Sequence, residues 1–233
     1  MDLPHTLYGQ LYLLAYDRRR RRFDFGRLWL LGYALRGAIL TELLLSGHLR
    51  DVDGMAQRTG RVPADPLLRA TVDTIDDDEP RPWSLLVVID QQDTYGRVRQ
   101  QLEQHGWVGP QRRHRLGVIP TLRFGVADEN AAARLADLAI QAVRNAVADR
   151  PAEPRALMLG LLAALGELPL LSKAEATENR DKLHELALAA VVPIIGVHQA
   201  VEAVYAELHA NGNGSSGCGG GCGGCGGCGG CGG

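Results

Sequence analysis

The stretch that decides the fold is residues 28–46, which read LWLLGYALRGAILTELLLS. Its apolar side chains recur at helical spacing and fill more than one face, and Gly47 follows as a natural stop. A helix that is apolar nearly all round is a buried one. Residues 27–46 are therefore predicted to form a buried central helix.

Helical patterns also surround this segment. A short helix is predicted from Pro4 to Leu14, followed by a hairpin or loop with the five arginines 18–22 at its tip. Residues 50–82 favour loops and short helices, and residues 83–90 fit either a strand or a helix. The other predicted helices span residues 95–105, 130–148, 154–166 and 175–209, the last of them broken near Pro193.

A second hairpin is predicted from strands at 115–119 and 122–126, joined through Pro120 and Thr121. It is rich in arginine, with Arg112, Arg113, Arg115 and Arg123. The whole pattern predicts a mainly α fold, a single helical domain of residues 1–210 around an apolar central helix with a projecting β-hairpin. Residues 211–233 are mostly glycine and cysteine, which predicts a disordered tail.

Charge is unevenly distributed along a chain whose formal net charge is −2. Residues 1–50 carry eight arginines against four acids, and residues 91–123 carry six against two. Residues 51–90 carry nine acids against four arginines. This segregation predicts one cationic face, and arginine binds phosphate in a bidentate manner that lysine does not match.

We expect neither a secretory signal nor a membrane-spanning segment from the sequence. Met1 is followed by Asp2, Pro4 and His5, and the longest uncharged stretch, 186–201, contains Pro193 and Gly196. The body before the tail has no cysteine, which suits a reducing compartment. A cytoplasmic protein that associates reversibly with membranes is expected.

Two of the segments described above resemble the Golgi phosphoprotein 3 family. Residues 13–17, LLAYD, lead through a loop into residues 35–49, LRGAILTELLLSGHL, which are similar to the family's Leu-Arg-Gly helix and its end. Residues 65–68, DPLL, resemble the Asp-x-Leu-Leu that follows an acidic loop in the family.

A third part of the resemblance lies in the second half of the chain. Residues 98–102, VRQQL, lead through GWV at 106–108 to the hairpin at 115–126. The sequence RALMLGLL follows at 155–162. The three parts follow one another in this order and at this spacing. Together they extend over nearly all of the chain before the tail.

This resemblance implies a helical domain with a projecting hairpin that binds phosphatidylinositol 4-phosphate in a basic pocket, as a peripheral membrane adaptor or scaffold. Arg36 matches the arginine of the Leu-Arg-Gly helix, and Arg99 matches that of the Val-Arg motif. At the family's tryptophan position stands Arg27, with Trp29 two residues away. Where the family has a third basic residue in the pocket, this sequence has Gly96, next to Arg97. We expect these arginines and Trp29 to contact a phosphorylated headgroup.

Each of these features also has a structural interpretation. Arg36 lies on an apolar helix and requires either a pocket or a carboxylate partner such as Glu42 or another acid. Arginines in exposed loops often serve only solubility. We predict contact with anionic lipid by Arg18, Arg19, Arg20, Arg21, Arg22, Arg112, Arg113 and Arg115. The hairpin is also a candidate surface for a homo-oligomer.

A winged-helix DNA-binding protein is the alternative function. A helix, residues 106–108 and a basic hairpin at 112–123 follow one another in the order that such a domain requires. The helix has few side chains suited to reading bases, and the net charge is negative. Lipid is therefore the preferred partner.

No catalytic residues, cofactor or metal site are predicted. The histidines His48, His105, His114, His184 and His198 lack metal-ligand spacing, since residues 184 and 198 are too far apart for one helical turn. The tail cysteines recur in a glycine repeat without a supporting shell, which does not indicate a specific metal site.

Overall fold

The computed structural model describes residues 3–17, 20, 22–23, 28–76, 78–115, 119–168 and 170–212, with only the backbone described at 28, 111–115, 119–123 and 207–212. The fold is mainly α, as predicted, with ten helices and three small sheets in those ranges. Disorder was predicted for residues 211–233, but residues 211 and 212 belong to the last helix, and residues 213–233 lie outside the described residues.

Helix α2, Leu28–Leu45, is the centre of the molecule. Every residue from Leu30 to Thr41 is buried, which confirms the predicted central helix. Helices α1 (Leu7–Leu14), α4 (Trp83–Val88), α5 (Gln91–Gln104), α7 (Pro154–Leu165) and α10 (Val192–Gly212) pack directly against it. Since α2 has neighbours on several sides, its sequence is apolar on more than one face.

The remaining helices enclose this core. They are α3 (Pro66–Asp73), α6 (Glu129–Val147), α8 (Lys173–Glu178) and α9 (Arg180–Leu188). The sequence predicted one stretch from 175 to 209, broken only near Pro193. Asn179 in fact separates α8 from α9, and residues 189–191 separate α9 from α10. The second break turns α9 back onto α10.

Three antiparallel sheets complete the fold. The first pairs β1 (Tyr16–Asp17) with β2 (Arg22–Phe23). The second, absent from the prediction for residues 50–82, contains β3 (Leu49–Val52), β4 (Met55–Arg58) and β5 (Arg81–Pro82). The third is the predicted hairpin of β6 (Val108–Arg115) and β7 (Ile119–Val126).

The turn of the third hairpin differs from the prediction. Pro120 and Thr121 lie within β7, where they pair with His114 and Arg113, so they do not form the turn. The described pairing of the two strands extends to Arg115 and Ile119. The hairpin also begins at Val108, which makes each strand eight residues long.

Among the described residues, no helix combines the length and the apolar character needed to cross a membrane.

Close packing of α2 against α10 predicts a strong effect of Gly37→Ala. An added Cβ would lie 2.1 Å from Cγ2 of Val197 and 3.3 Å from Cδ2 of Leu162. We expect the free energy of unfolding in urea to fall by about 1–3 kcal/mol, the usual effect of overpacking.

Gly96→Ala on α5 is the matched control, because an added Cβ there meets nothing within 4 Å. Helix propensity alone should raise its stability by roughly 0.5–1 kcal/mol. Equal effects of the two substitutions would contradict the packing described for α2.

Candidate functional site

Arg36 is a buried cation in the middle of α2, with only 2% of its surface exposed. Its Nε donates to the carbonyl of Leu86 at 3.0 Å, and Nη1 donates to Oγ1 of Thr71 at 3.2 Å. Nη2 is buried and has no hydrogen-bond partner among the described residues. Arg36 therefore ties α2 to α4 and α3.

The environment of Arg36 weakens its basicity without removing its charge. Burial lowers the pKa of Arg36 to about 10, the nearby Asp90 opposes that shift, and Arg97 adds to it. A guanidinium with this pKa is still protonated at neutral pH. Asp90 adopts a left-handed conformation, φ 58°, immediately before α5. It supplies the carboxylate that opposes the desolvation of Arg36.

Glu42, which the sequence offered as a partner for Arg36, has other contacts. Its Oε2 accepts from Nη2 of Arg155 at 2.9 Å and from the backbone N–H of Leu7 at 2.7 Å. Glu42 thus joins α2 to α7 and to the start of α1. The hydrogen bonds described for Arg36 go to the carbonyl of Leu86 and the hydroxyl of Thr71, and the carboxylate that influences its pKa is that of Asp90.

Arg99 lies on a different side of α5 from Arg97. Two residues along a helix are roughly 200° apart, and the core-facing Val98 lies between them. The Arg99 Nε bonds Oε1 of Glu103 at 2.5 Å, and its guanidinium lies 3.8 Å from the ring centre of Phe124 on β7. This hydrogen bond, which Arg99 donates to Glu103, raises the pKa of Arg99.

Arg36 and Arg99 differ in the charged and polar groups that influence them. Arg36 is under the electrostatic influence of Asp90 and Arg97. Arg99 is under that of Glu103, Tyr12 and Tyr95. The two arginines therefore have different electrostatic neighbours.

An aromatic cluster surrounds the position of Arg99. Tyr12 on α1 stacks on Tyr95 with ring centres 5.3 Å apart, and their hydroxyls are 2.9 Å apart. Tyr12 also contacts Phe23 on β2 at 5.0 Å, and Tyr16 on β1 contacts Phe23 at 5.3 Å. Strand β2 lies against β7. The β1–β2 and β6–β7 hairpins consequently meet beside Arg99.

Trp29, predicted to flank the headgroup, contacts two tyrosines. Its ring makes edge contacts with Tyr33, at 6.2 Å between centres, and with Tyr205 on α10, at 5.9 Å. Arg27 lies outside the described residues. Trp29 therefore joins α2 to α10 on the described contacts.

The predicted membrane-contact arginines are described only in part. Arg20 has a side chain 61% exposed and approaches Asp17 at 3.6 Å, and Arg22 is exposed on β2. Arg18, Arg19 and Arg21 lie outside the described residues. At Arg112, Arg113 and Arg115 only the backbone is described.

Sequence reasoning missed a group of potential ligands formed by His184, His198 and Glu202. The spacing argument excluded His184 and His198 only from sharing one helical turn. It was wrong as an argument against a shared site, because these residues lie on α9 and α10, which pack against each other. The signal that could have found them is the predicted break near Pro193.

A comparison of the sequence with protein-family models gives a match, which agrees with the helical fold. The model of Golgi phosphoprotein 3 (GPP34) matches residues 7–206, from the start of α1 into α10. The chain belongs to the Golgi phosphoprotein 3 family. No curated protein matched it.

One motif shared with the Golgi phosphoprotein 3 family has a structural explanation here. In the DPLL stretch, Oδ1 of Asp65 accepts from the backbone N–H groups of Leu67 and Leu68 and caps α3. Its Oδ2 accepts from the hydroxyl of Tyr8 at 2.7 Å and from Nε2 of Gln101 at 2.6 Å. Asp65 thereby holds α1, α3 and α5 together.

Arg36→Ala in this member of the Golgi phosphoprotein 3 family tests the structural role of the buried cation. The substitution leaves the Leu86 carbonyl and Thr71 hydroxyl without their donor and opens a cavity. We expect a loss of about 2–4 kcal/mol in the free energy of unfolding. Chemical denaturation followed by circular dichroism measures it.

Arg97→Ala is the control, because Arg97 is exposed on the neighbouring helix. Its expected effect is within about 0.5 kcal/mol. If Arg36→Ala were as stable as the parent protein, the described contacts of Arg36 would not contribute to folding.

Proposed function

We propose that this protein is a peripheral membrane protein that binds anionic lipid headgroups, of the phosphatidylinositol 4-phosphate type, and acts as an adaptor or scaffold. The binding surface in this proposal is the cationic end, defined as the β1–β2 hairpin (16–23), the β6–β7 hairpin (108–126) and Arg99. Membership of the Golgi phosphoprotein 3 family is consistent with a Golgi phosphoprotein-like role. The lipid and the adaptor role are the parts proposed.

The observation that carries the proposal is the contact between β2 and β7. It makes neighbours of two hairpins that are far apart in the sequence. Residues 16–23 contain five arginines and one aspartate, and residues 108–126 contain four arginines and no acid. Nine arginines against one acid in two adjoining hairpins give a strongly positive potential in a protein of net charge −2.

The arginines of the cationic end are numerous enough to attract the protein to an anionic membrane. A basic residue near an anionic bilayer surface contributes about 1 kcal/mol, and salt screens that contribution. The acids of residues 51–90 belong to other elements. The arginines of the cationic end should therefore also orient the protein relative to the membrane. The cationic end therefore supplies attraction that does not depend on headgroup identity.

Arg99 supplies the selective part of the proposal. Its side chain is 36% exposed, and stacking on Phe124 fixes the plane of the guanidinium. Glu103 accepts from Nε, and the hydroxyl of Tyr95 also forms a hydrogen bond with Arg99. In the proposal, a headgroup phosphate accepts from the exposed part of the Arg99 guanidinium, with the bidentate geometry that arginine favours.

Arg36 and Arg97 have a secondary role in this proposal. Arg97 is exposed and adds positive charge along α5. Arg36 is only 2% exposed, so direct contact with a headgroup requires the junction between α4 and α5 to open. Trp29 is proposed as a packing residue between α2 and α10.

The first test is flotation with liposomes of phosphatidylcholine alone or with added phosphatidylserine, phosphatidylinositol, cardiolipin or phosphatidylinositol 4-phosphate. The parent protein should float with anionic liposomes and less so at high salt. Replacing Arg112, Arg113 and Arg115 together by alanine should weaken binding about a hundredfold, from about 1 kcal/mol for each arginine.

The matched control replaces Arg150, Lys173 and Arg180 by alanine, which removes three exposed cations from the last part of the fold. It should bind liposomes as the parent does. Duplex DNA at the same salt concentration is the competing ligand. Binding to DNA but not to liposomes, or an equal loss in the control, would contradict the proposal.

The second test separates charge from geometry at Arg99. Arg99→Lys keeps the positive charge but loses the planar bidentate group. We expect it to lower the preference for phosphatidylinositol 4-phosphate over phosphatidylserine while leaving binding to phosphatidylserine nearly unchanged. Arg150→Lys is the control and should alter neither quantity. An unchanged preference in Arg99→Lys would remove Arg99 from the headgroup site.

A further inference from the structure

The second cluster of chemically active side chains lies between α9 and α10. His184 on α9 faces His198 on α10, with 2.6 Å between His184 Nδ1 and His198 Nε2 and 4.5 Å between ring centres. Glu202, one turn beyond His198, has carboxylate oxygens 3.9 Å from His184 Nδ1 and 3.8 Å from His198 Nδ1. One potential ligand atom from each residue lies within 4.8 Å of the other two.

The cluster combines a buried residue with two accessible ones. His198 is 5% exposed, whereas the side chains of His184 and Glu202 are 46% and 63% exposed. An ion can therefore reach the cluster from solvent and still be held by a ligand that is fixed in the core. The turn at 189–191 holds the two helices in this relation.

All three residues line a cavity of about 520 Å³. Most of its wall is apolar, formed by residues such as Leu161, Leu165, Leu183 and Val201. Three protein ligands beside such a space leave a fourth coordination position open to water or to a bound molecule. This is the arrangement that zinc sites with an exchangeable ligand require.

We propose that His184, His198 and Glu202 bind a divalent transition-metal ion, with Zn²⁺ the preferred occupant. Imidazole nitrogen suits zinc and its neighbours in the first transition series, whereas calcium and magnesium take oxygen ligands. This site is separate from the cationic end and does not depend on lipid binding.

Metal binding requires only a small adjustment of the imidazoles. With zinc–nitrogen bonds of 2.0–2.1 Å, two ligands in a tetrahedral site are roughly 3.3 Å apart. The two ring nitrogens, now 2.6 Å apart, must separate by roughly 0.7 Å to admit an ion. The exposed side chain of Glu202 can rotate to complete the set.

The ion would join α9 to α10 at one wall of the cavity. Without it the same pair of imidazoles can share a single proton in a hydrogen bond, because one ring must accept where the other donates. Metal binding and simple hydrogen bonding thus make different predictions for the response of the protein to zinc.

The test must exclude the five tail cysteines, since closely spaced thiolates also bind zinc. The full chain is therefore used with Cys218, Cys222, Cys225, Cys228 and Cys231 replaced by serine. Calorimetric titration with Zn²⁺ should give one ion per chain. Co²⁺ should give the visible absorption of a tetrahedral site, which Zn²⁺ then removes.

Variants at the two accessible ligands decide the assignment, because replacing the buried His198 risks unfolding the protein. His184→Ala and Glu202→Gln should each weaken Zn²⁺ binding at least tenfold and reduce the Co²⁺ absorption. Glu185→Gln, a neighbouring exposed acid on α9, is the control and should bind as the parent does. Absence of binding to the cysteine-free chain, or undiminished binding in the His184→Ala/Glu202→Gln double variant, would overturn the proposal.

Discussion

The contact between β2 and β7 is the constraint on which the functional account depends. Two short hairpins, separated by most of a hundred residues, would otherwise be independent basic loops. Phe23 on β2 packs on Tyr12, Tyr12 stacks on Tyr95, and Arg99 one turn further along α5 covers Phe124 on β7. These contacts link both hairpins to α1 and α5, which pack on α2. The core therefore holds the two arginine-rich hairpins next to each other.

Arg36 and Arg99 illustrate two different uses of arginine in one fold. Arg36 donates hydrogen bonds to Leu86 and Thr71 inside the protein, and burial lowers its pKa to about 10. Arg99 is partly exposed and stacks on an aromatic ring beside the hairpins. A motif comparison assigns both arginines to one pocket, but the residues that they contact in the structure differ. The first joins α2 to α3 and α4, and the second is the arginine proposed to contact a headgroup.

The sequence was sufficient to predict the central helix, because an apolar run such as 28–45 has no other stable position in a folded domain. It also indicated the basic hairpin. It failed where tertiary pairing decides the outcome: Pro120 was assigned to a turn although it pairs within β7. The β3–β4 hairpin was overlooked although Asp53 and Gly54 are a turn pair, and both have positive φ. The ligands His184 and His198 were separated by spacing along the chain, which does not reveal helices that fold back on each other.

The most direct test of the central claim is the membrane depth of single labels. In the cysteine-free chain, a fluorophore is attached after Arg20→Cys, Gln111→Cys or Lys173→Cys, and quenching by lipid-borne nitroxides is measured on anionic liposomes. The account predicts quenching at the first two positions, one in each hairpin, and none at position 173 on α8. Quenching at position 173 with none in the hairpins would contradict it.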